Sequence, residues 1–206
     1  MIINLTHQKG GVGKSTIATN LAVALDAIII DLDTQRSSVL WNKIRQSNGY
    51  TPLECLTVAN ETEMKQVLKN NAGRHVVIDS GGYDSGMTRL AIIAADIILT
   101  PVAPSQVEIF GLQNFTKILQ QISDEIGQTI QTNVLINNAD IRSKTAIQSL
   151  QQYVTQNHTY LNLLNSITHF RADFKKAYGM GLSVVEMDPR CKAAAEIEQL
   201  SSEILD

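Results

Sequence analysis

The chain has 206 residues, enough for one compact domain with a sizeable buried core. Its 17 Lys and Arg against 20 Asp and Glu give a formal net charge of −3, which argues against a protein that coats nucleic acid by bulk charge and leaves room for a local basic patch. The two cysteines, Cys55 and Cys191, lie too far apart for a cysteine-built metal site or a disulfide framework, as expected for a reducing cytoplasm.

Met1–Thr6 is an apolar run that reads as a buried strand, and it runs straight into a glycine-rich segment with no secretory leader. That segment is Lys9-Gly10-Gly11-Val12-Gly13-Lys14-Ser15-Thr16, and Ile17–Leu25 then carries apolar residues at helical spacing. Strand, glycine-rich turn and helix make the context of a phosphate-binding loop. Glycines let successive N–H groups turn inward, and the helix start adds free N–H groups and a positive dipole end. Lys14 is placed to meet the β- and γ-phosphates, and the Ser15 hydroxyl to ligate Mg²⁺. Gln8 stands where the ordinary pattern has a glycine, and Lys9 adds a second cation with no carboxylate near it in sequence. Two ammonium groups so close are tolerable when a polyanion lies between them.

Lys-Gly-Gly-Val-Gly-Lys-Ser resembles the deviant Walker A motif of the ParA/MinD superfamily of ATPases. The resemblance implies a doubly wound, mostly parallel α/β fold that binds ATP or ADP with Mg²⁺ through Lys9 to Thr16. It also implies an ATP-dependent homodimer in which Lys9 reaches the partner's ATP, with Lys9 and Lys14 counted among the catalytic residues. On this view Lys9 is satisfied in the dimer alone.

Ala27–Leu32 reads as a strand buried on both faces, with Asp31 and Asp33 at its carboxyl end. In the family this is a switch that follows the γ-phosphate, so the match makes Asp33 the catalytic candidate that positions water and Asp31 a support for the metal. Thr34 stands where relatives usually have proline. The competing reading makes both aspartates helix caps before Ser37 and Ser38. Ser37–Gln46 is a helix with Trp41 in the core, Leu53–Val58 a strand and Glu61–Asn70 an amphipathic helix.

His75–Asp79 is a buried strand ending in Asp, the Walker B pattern, which places Asp79 at the metal beside Ser15. Ser80-Gly81-Gly82 comes next, where relatives more often carry Thr or Ala and then prolines. Asp96–Val102 is a strand, Pro101 to Ser105 resembles the family's Pro-Val-x-Pro-Ser segment, and a long helix runs from about Gln106 to Glu125. Thr129–Asn138 is a further strand. Asn137 at its end is a candidate for base contact by resemblance and equally a plain strand-end cap. Arg142 faces nucleotide or solvent. Ser143–Gln156 is a helix with a polar face.

The closing order of Arg171, helix Ala172–Tyr178, a glycine turn, Ser183–Glu186 and helix Lys192–Leu205 resembles the end of partition ATPases. Arg171, Lys175, Lys176, Arg190 and Lys192 gather cations, and the resemblance makes Arg171, Lys175, Lys176 and Arg190 candidates for non-specific duplex DNA binding. The last helix carries Glu196, Glu198 and Glu203 and few late cations, so a basic membrane-binding tail is not expected, and no apolar stretch is long enough to span a bilayer.

With no repeat or linker, residues 1–206 are expected to form a single domain of the short ParA (ParF-like) type, without an added helix-turn-helix segment. The implied function is a cytoplasmic, nucleoid-associated ATPase for DNA segregation, reset by a centromere-binding ParB-like or ParG-like partner. A MinD-like or protein-cargo positioning ATPase, and a dethiobiotin-synthetase-like ligase, are the alternatives.

Overall fold

The computed structural model describes residues 1–140 and 142–206. Seven strands form one sheet: β1 (Ile2–Leu5), β2 (Ile28–Asp31), β3 (Cys55–Leu56), β4 (Val76–Asp79), β5 (Ile97–Val102), β6 (Thr132–Ala139) and β7 (Leu161–His169). Their order is β3-β2-β4-β1-β5-β6-β7, and all six pairings are parallel. The doubly wound parallel sheet expected from the sequence is the sheet that forms.

Parallel neighbours need long crossovers, and helices supply them on both faces. On one face, α1 (Lys14–Ala24), α2 (Ser37–Ser47), α7 (Ala172–Met180), α8 (Val184–Met187) and α9 (Lys192–Leu205) close over Ile29, Val77, Leu99 and Leu135. On the other, α3 (Glu61–Asn70), α4 (Gly86–Ala94), α5 (Gln106–Ile126) and α6 (Lys144–Gln156) close over Ile28, Val76, Ile78, Val134 and Ile136. Successive strand residues alternate between the faces, so a strand buried on both sides must be apolar throughout, which is why these runs lack polar punctuation. Trp41 is fully buried in the first layer, as its helical spacing suggests. No helix among the described residues is long and apolar enough to cross a membrane.

β1 lies at the turning point of the strand order, between β4 and β5. Open α/β sheets bind ligands outside the carboxyl ends of their strands at such a point. The register sets Leu5 beside Asp79 and Asp79 beside Asp31, so the two carboxylates leave adjacent strands at that edge.

Two elements depart from the sequence reading. β3 has two residues rather than the run Leu53–Val58, because Leu53 is tied to α2 instead: Asn42 accepts from its N–H and donates to its carbonyl, at 2.9 and 2.8 Å. β7 forms where no strand is expected, since Asn162, Asn165 and Ser166 break its apolar pattern. Its pairing with β6 is irregular between Val134 and Ala139. The Glu203 carboxylate on α9 accepts the N–H groups of Asn165 and Ser166 at 2.6 and 2.8 Å. Glu196 accepts from His169 N–H in the same way. The acidic residues of the last helix thus satisfy β7, the outermost strand of the sheet.

α7 turns into α8 at Gly181, whose φ of +71° is left-handed and whose missing Cβ leaves room for the Arg45 backbone. Arg45 runs beneath it to a bidentate pair with Glu186, at 2.9 and 2.6 Å. Gly181→Ala is therefore expected to combine backbone strain with a collision against Arg45, destabilising the fold by roughly 3 kcal/mol in urea titration. A change smaller than experimental error would show that the α7–α8 turn relaxes freely.

Candidate functional site

The phosphate loop leaves β1 and enters α1 through Gly13, the N-cap of that helix, at φ +92°. A Cβ there would collide with the Asn137 amide. Asn137 donates to Val12 carbonyl at 2.6 Å, and its own oxygen accepts from the Thr168 hydroxyl. Its amide thereby braces the loop from β6, and the residue also lines the neighbouring cavity.

Lys14 is buried and its ammonium donates to Lys9 carbonyl at 2.9 Å. Burial holds its pKa below the usual lysine value, opposed by the charges of Asp79 and Asp33. A buried cation closed onto a loop carbonyl is a poised anion site, since phosphate oxygens offer it better acceptors. Gly10, Gly11, Gly13, Lys14, Ser15, Thr16 and Asp33 line an open cavity of about 380 Å³. Tyr178 stands between it and a second cavity of about 270 Å³, lined by Gly13, Thr16, Ile17, Asn137, Asn138, Phe170, Arg171, Phe174 and Lys175. The Tyr178 hydroxyl is fixed on Ser37 carbonyl at 2.9 Å.

Asp31 does not offer itself to a metal. Oδ1 accepts from Asp33 N–H, and Oδ2 accepts from Ser38 and Val39 N–H, at 3.0 to 3.1 Å. Its carboxylate caps α2, whose own N-cap residue, Arg36, gives no side-chain cap. The geometry of Asp31 is that of the helix-cap reading, with both oxygens accepting from backbone donors. Asp33 lines the phosphate cavity and its Oδ1 accepts from Gln35 N–H, a local turn that aims the carboxylate.

Asp79 is fully buried, and its Oδ2 accepts from the Ser38 hydroxyl at 2.7 Å. Oδ1 has no partner, and burial raises the carboxyl to a pKa of about 7, opposed chiefly by the hydrogen bond from Ser38. An orphaned buried carboxylate oxygen beside a serine hydroxyl suits a hydrated cation held mainly by other groups. No group of three His, Cys, Asp or Glu side chains among the described residues could hold a metal unaided.

Lys9 carries the largest correction. The sequence places no carboxylate near it, yet α5 brings Glu108 across, and the Lys9 ammonium pairs with Glu108 Oε1. Lys9 has its counter-ion inside one subunit. Glu108 escapes a reading of the sequence because Ser105-x-x-Glu108 has the form of a capping box. Ser105 does cap α5 through Glu108 N–H, but the carboxylate turns away to Lys9.

Arg171 has an internal partner. Its guanidinium donates twice to Glu196 Oε1, at 2.9 and 2.6 Å, and it lines the second cavity. Lys175, Lys176, Arg190 and Lys192 are exposed. Arg142 pairs with Asp140 at 3.0 Å and is 90% exposed, on the solvent side of its two readings.

A glycine-rich loop at the switch point of a parallel sheet, with a buried lysine and two carboxylate-bearing strand ends, defines a nucleotide-binding α/β protein of the phosphate-loop type. The family described as the CobQ/CobB/MinD/ParA nucleotide binding domain matches residues 3–197, and the chain belongs to it. It is 26% identical to the Maintenance of carboxysome distribution protein A of Halothiobacillus neapolitanus over 211 residues, 98% of this chain and 94% of that one. It is 22% identical to the chromosome-partitioning ATPase Soj of Thermus thermophilus, again over 98% of this chain and 94% of that one. An ATP complex of Cyanothece McdA shares the fold with a TM-score of 0.73 at 15% identity, covering 98% of this chain and 95% of that one. The chain is a ParA/MinD-type nucleotide-binding ATPase.

Proposed function

We propose that this chain is a positioning ATPase that dimerises on ATP, holds non-specific DNA as a dimer, and lets go on hydrolysis. The observation that carries the reading is Lys9, an extra cation at the rim of the phosphate cavity whose side chain is 37% exposed and paired with one carboxylate. A triphosphate in the 380 Å³ cavity, with its nucleoside against Phe170 and Phe174 in the second, lies between Lys14 and that rim. Lys9 then turns from Glu108 toward the triphosphate of a facing subunit, so ATP favours the dimer by mass action. Ser15 and Asp79 would hold Mg²⁺, which when bound would supply charge neutralisation on the phosphate oxygens. Asp33 positions the water that attacks the γ-phosphorus as ADP departs.

Lys175, Lys176 and Arg190 form the exposed part of the DNA face, with Arg171 held on Glu196 beside them. Two subunits present these cations together, giving sequence-neutral binding and a nucleoid-associated protein. A ParB-like or ParG-like partner accelerates slow hydrolysis. The DNA cargo of a partition system is the first reading. Likeness along 98% of the chain to a carboxysome distribution protein favours a second, in which the same cycle moves a protein assembly. A small-molecule ligase would instead turn over with a carboxylate substrate and without DNA.

The test is ATPase rate with and without duplex DNA and the protein encoded next door, joined to a salt titration. The Lys176→Ala/Arg190→Ala variant is expected to bind DNA more weakly with ATP, with the slope of log K against log salt shallower by about 0.9 for each phosphate no longer neutralised. An unchanged slope removes both residues from the DNA face.

A further inference from the structure

His7 lies just beyond the end of β1 and is fully buried. Its ring stacks on Phe115 of α5, with centroids 6.2 Å apart and planes 18° from parallel. Gly111, one turn earlier on α5, leaves room for it, since a Cβ there would come within 3.0 Å of His7 Cε1. Nδ1 accepts from Lys9 N–H at 3.0 Å, a side chain holding the amide two residues on, as in an Asx turn. An Nδ1 that accepts carries no proton, so the ring is neutral with its hydrogen on Nε2. Burial, aided by the charges of Lys14 and Lys9, keeps it neutral by lowering its pKa to about 4.

Lys9 is thus held at three points: its amide by His7, its carbonyl by Lys14, and its ammonium by Glu108. The second and third are the contacts that a triphosphate and a facing subunit compete for. The first uses no charge and leads away from the cavity, into the packing of α5. We propose that His7 is a positioning residue that fixes the backbone of Lys9, so that the lysine swings between Glu108 and a partner's nucleotide from a constant pivot.

The proposal rests on the dimer reading for its consequence and on the hydrogen bond for its substance, so the experiment reads the two separately. His7→Phe keeps the stacking volume and removes the acceptor, whereas His7→Asn restores an acceptor close to the position of Nδ1. In the nucleotide-free protein, the Lys9 amide is expected to exchange with solvent slowly in wild type and His7→Asn. In His7→Phe it should exchange at least about tenfold faster, as an amide released from its partner does. With ATP, His7→Phe is expected to associate about tenfold more weakly at unchanged ADP affinity and melting temperature, with association recovered in His7→Asn. Equal exchange in all three proteins overturns the proposal. So does loss of association in step with melting temperature in both variants, the pattern of a merely structural histidine. A wild-type chain that never associates with ATP sinks the dimer reading, and the exchange arm still decides whether His7 holds Lys9.

Discussion

Lys9→Ala is expected to abolish ATP-dependent self-association while ADP binding stays close to wild type, and Glu108→Gln is expected to do the opposite and tighten association. On the proposed reading Lys14, the loop N–H groups and Ser15 supply the in-subunit phosphate contacts, so a monomer with ADP does not need the Lys9 ammonium. The dimer does, and there the two substitutions part. In the free subunit Glu108 holds that ammonium, and on the proposed reading it competes there with the partner's nucleotide. The Lys9 side chain is 37% exposed against 11% for Glu108. Solvent therefore screens the pair, which places it near the upper end of surface ion pairs at about 0.5–1 kcal/mol. Two such pairs are broken per dimer, so releasing both should strengthen ATP-driven association roughly tenfold. Light scattering or sedimentation across an ATP titration reads both variants. A Lys9→Ala protein that still dimerises removes Lys9 from the interface. Weaker association in Glu108→Gln would mean that the carboxylate serves the dimer rather than the resting subunit.

That competition is invisible in the sequence, and the reason is one of distance. Lys9 and Glu108 are 99 positions apart, joined by the placement of α5 beside β1. The elements themselves are legible, because strands buried on both faces leave unbroken runs such as Ile28–Asp31, and Glu61–Asn70 and Lys192–Leu205 have clean helical periods. Motif spacing also locates the phosphate loop and the strand-end carboxylates. It does not say which way each carboxylate faces. Asp31 and Asp79 are register partners, yet one is exhausted by three backbone N–H groups and the other keeps a free oxygen. β7 escapes because its polar residues are matched by glutamates on α9, a pairing no local window contains. The same helix gives Arg171 a carboxylate partner that sequence proximity does not suggest.

Asp79→Asn is expected to abolish ATP hydrolysis and to stabilise the nucleotide-free, magnesium-free protein above neutral pH. The carboxyl is fully buried with one unpartnered oxygen, and its folded pKa of about 7 lies well above the ordinary carboxyl value of 3.8. A raised carboxyl means that the native state binds more protons than the unfolded chain between those values. Stability from this group is complete below about pH 4 and drains away as pH rises through 7, by at most about 4 kcal/mol. Asparagine has no charge to desolvate, and its carbonyl oxygen still accepts from the Ser38 hydroxyl. The variant should therefore melt about 5–15 °C above wild type at pH 8, with the gap closing toward pH 4. Calorimetry of both proteins across that range isolates the Asp79 contribution, since every other titrating group is common to the two. A pH-independent gap would show that Asp79 is ionised throughout and held by Lys14. Added Mg²⁺ and ATP should shrink the gap from the wild-type side, because a hydrated cation on Oδ1 relieves the burial cost in the ionised protein and finds only an amide in the variant. The oxygen that costs the free protein stability is the one that the proposed reading gives to a cation.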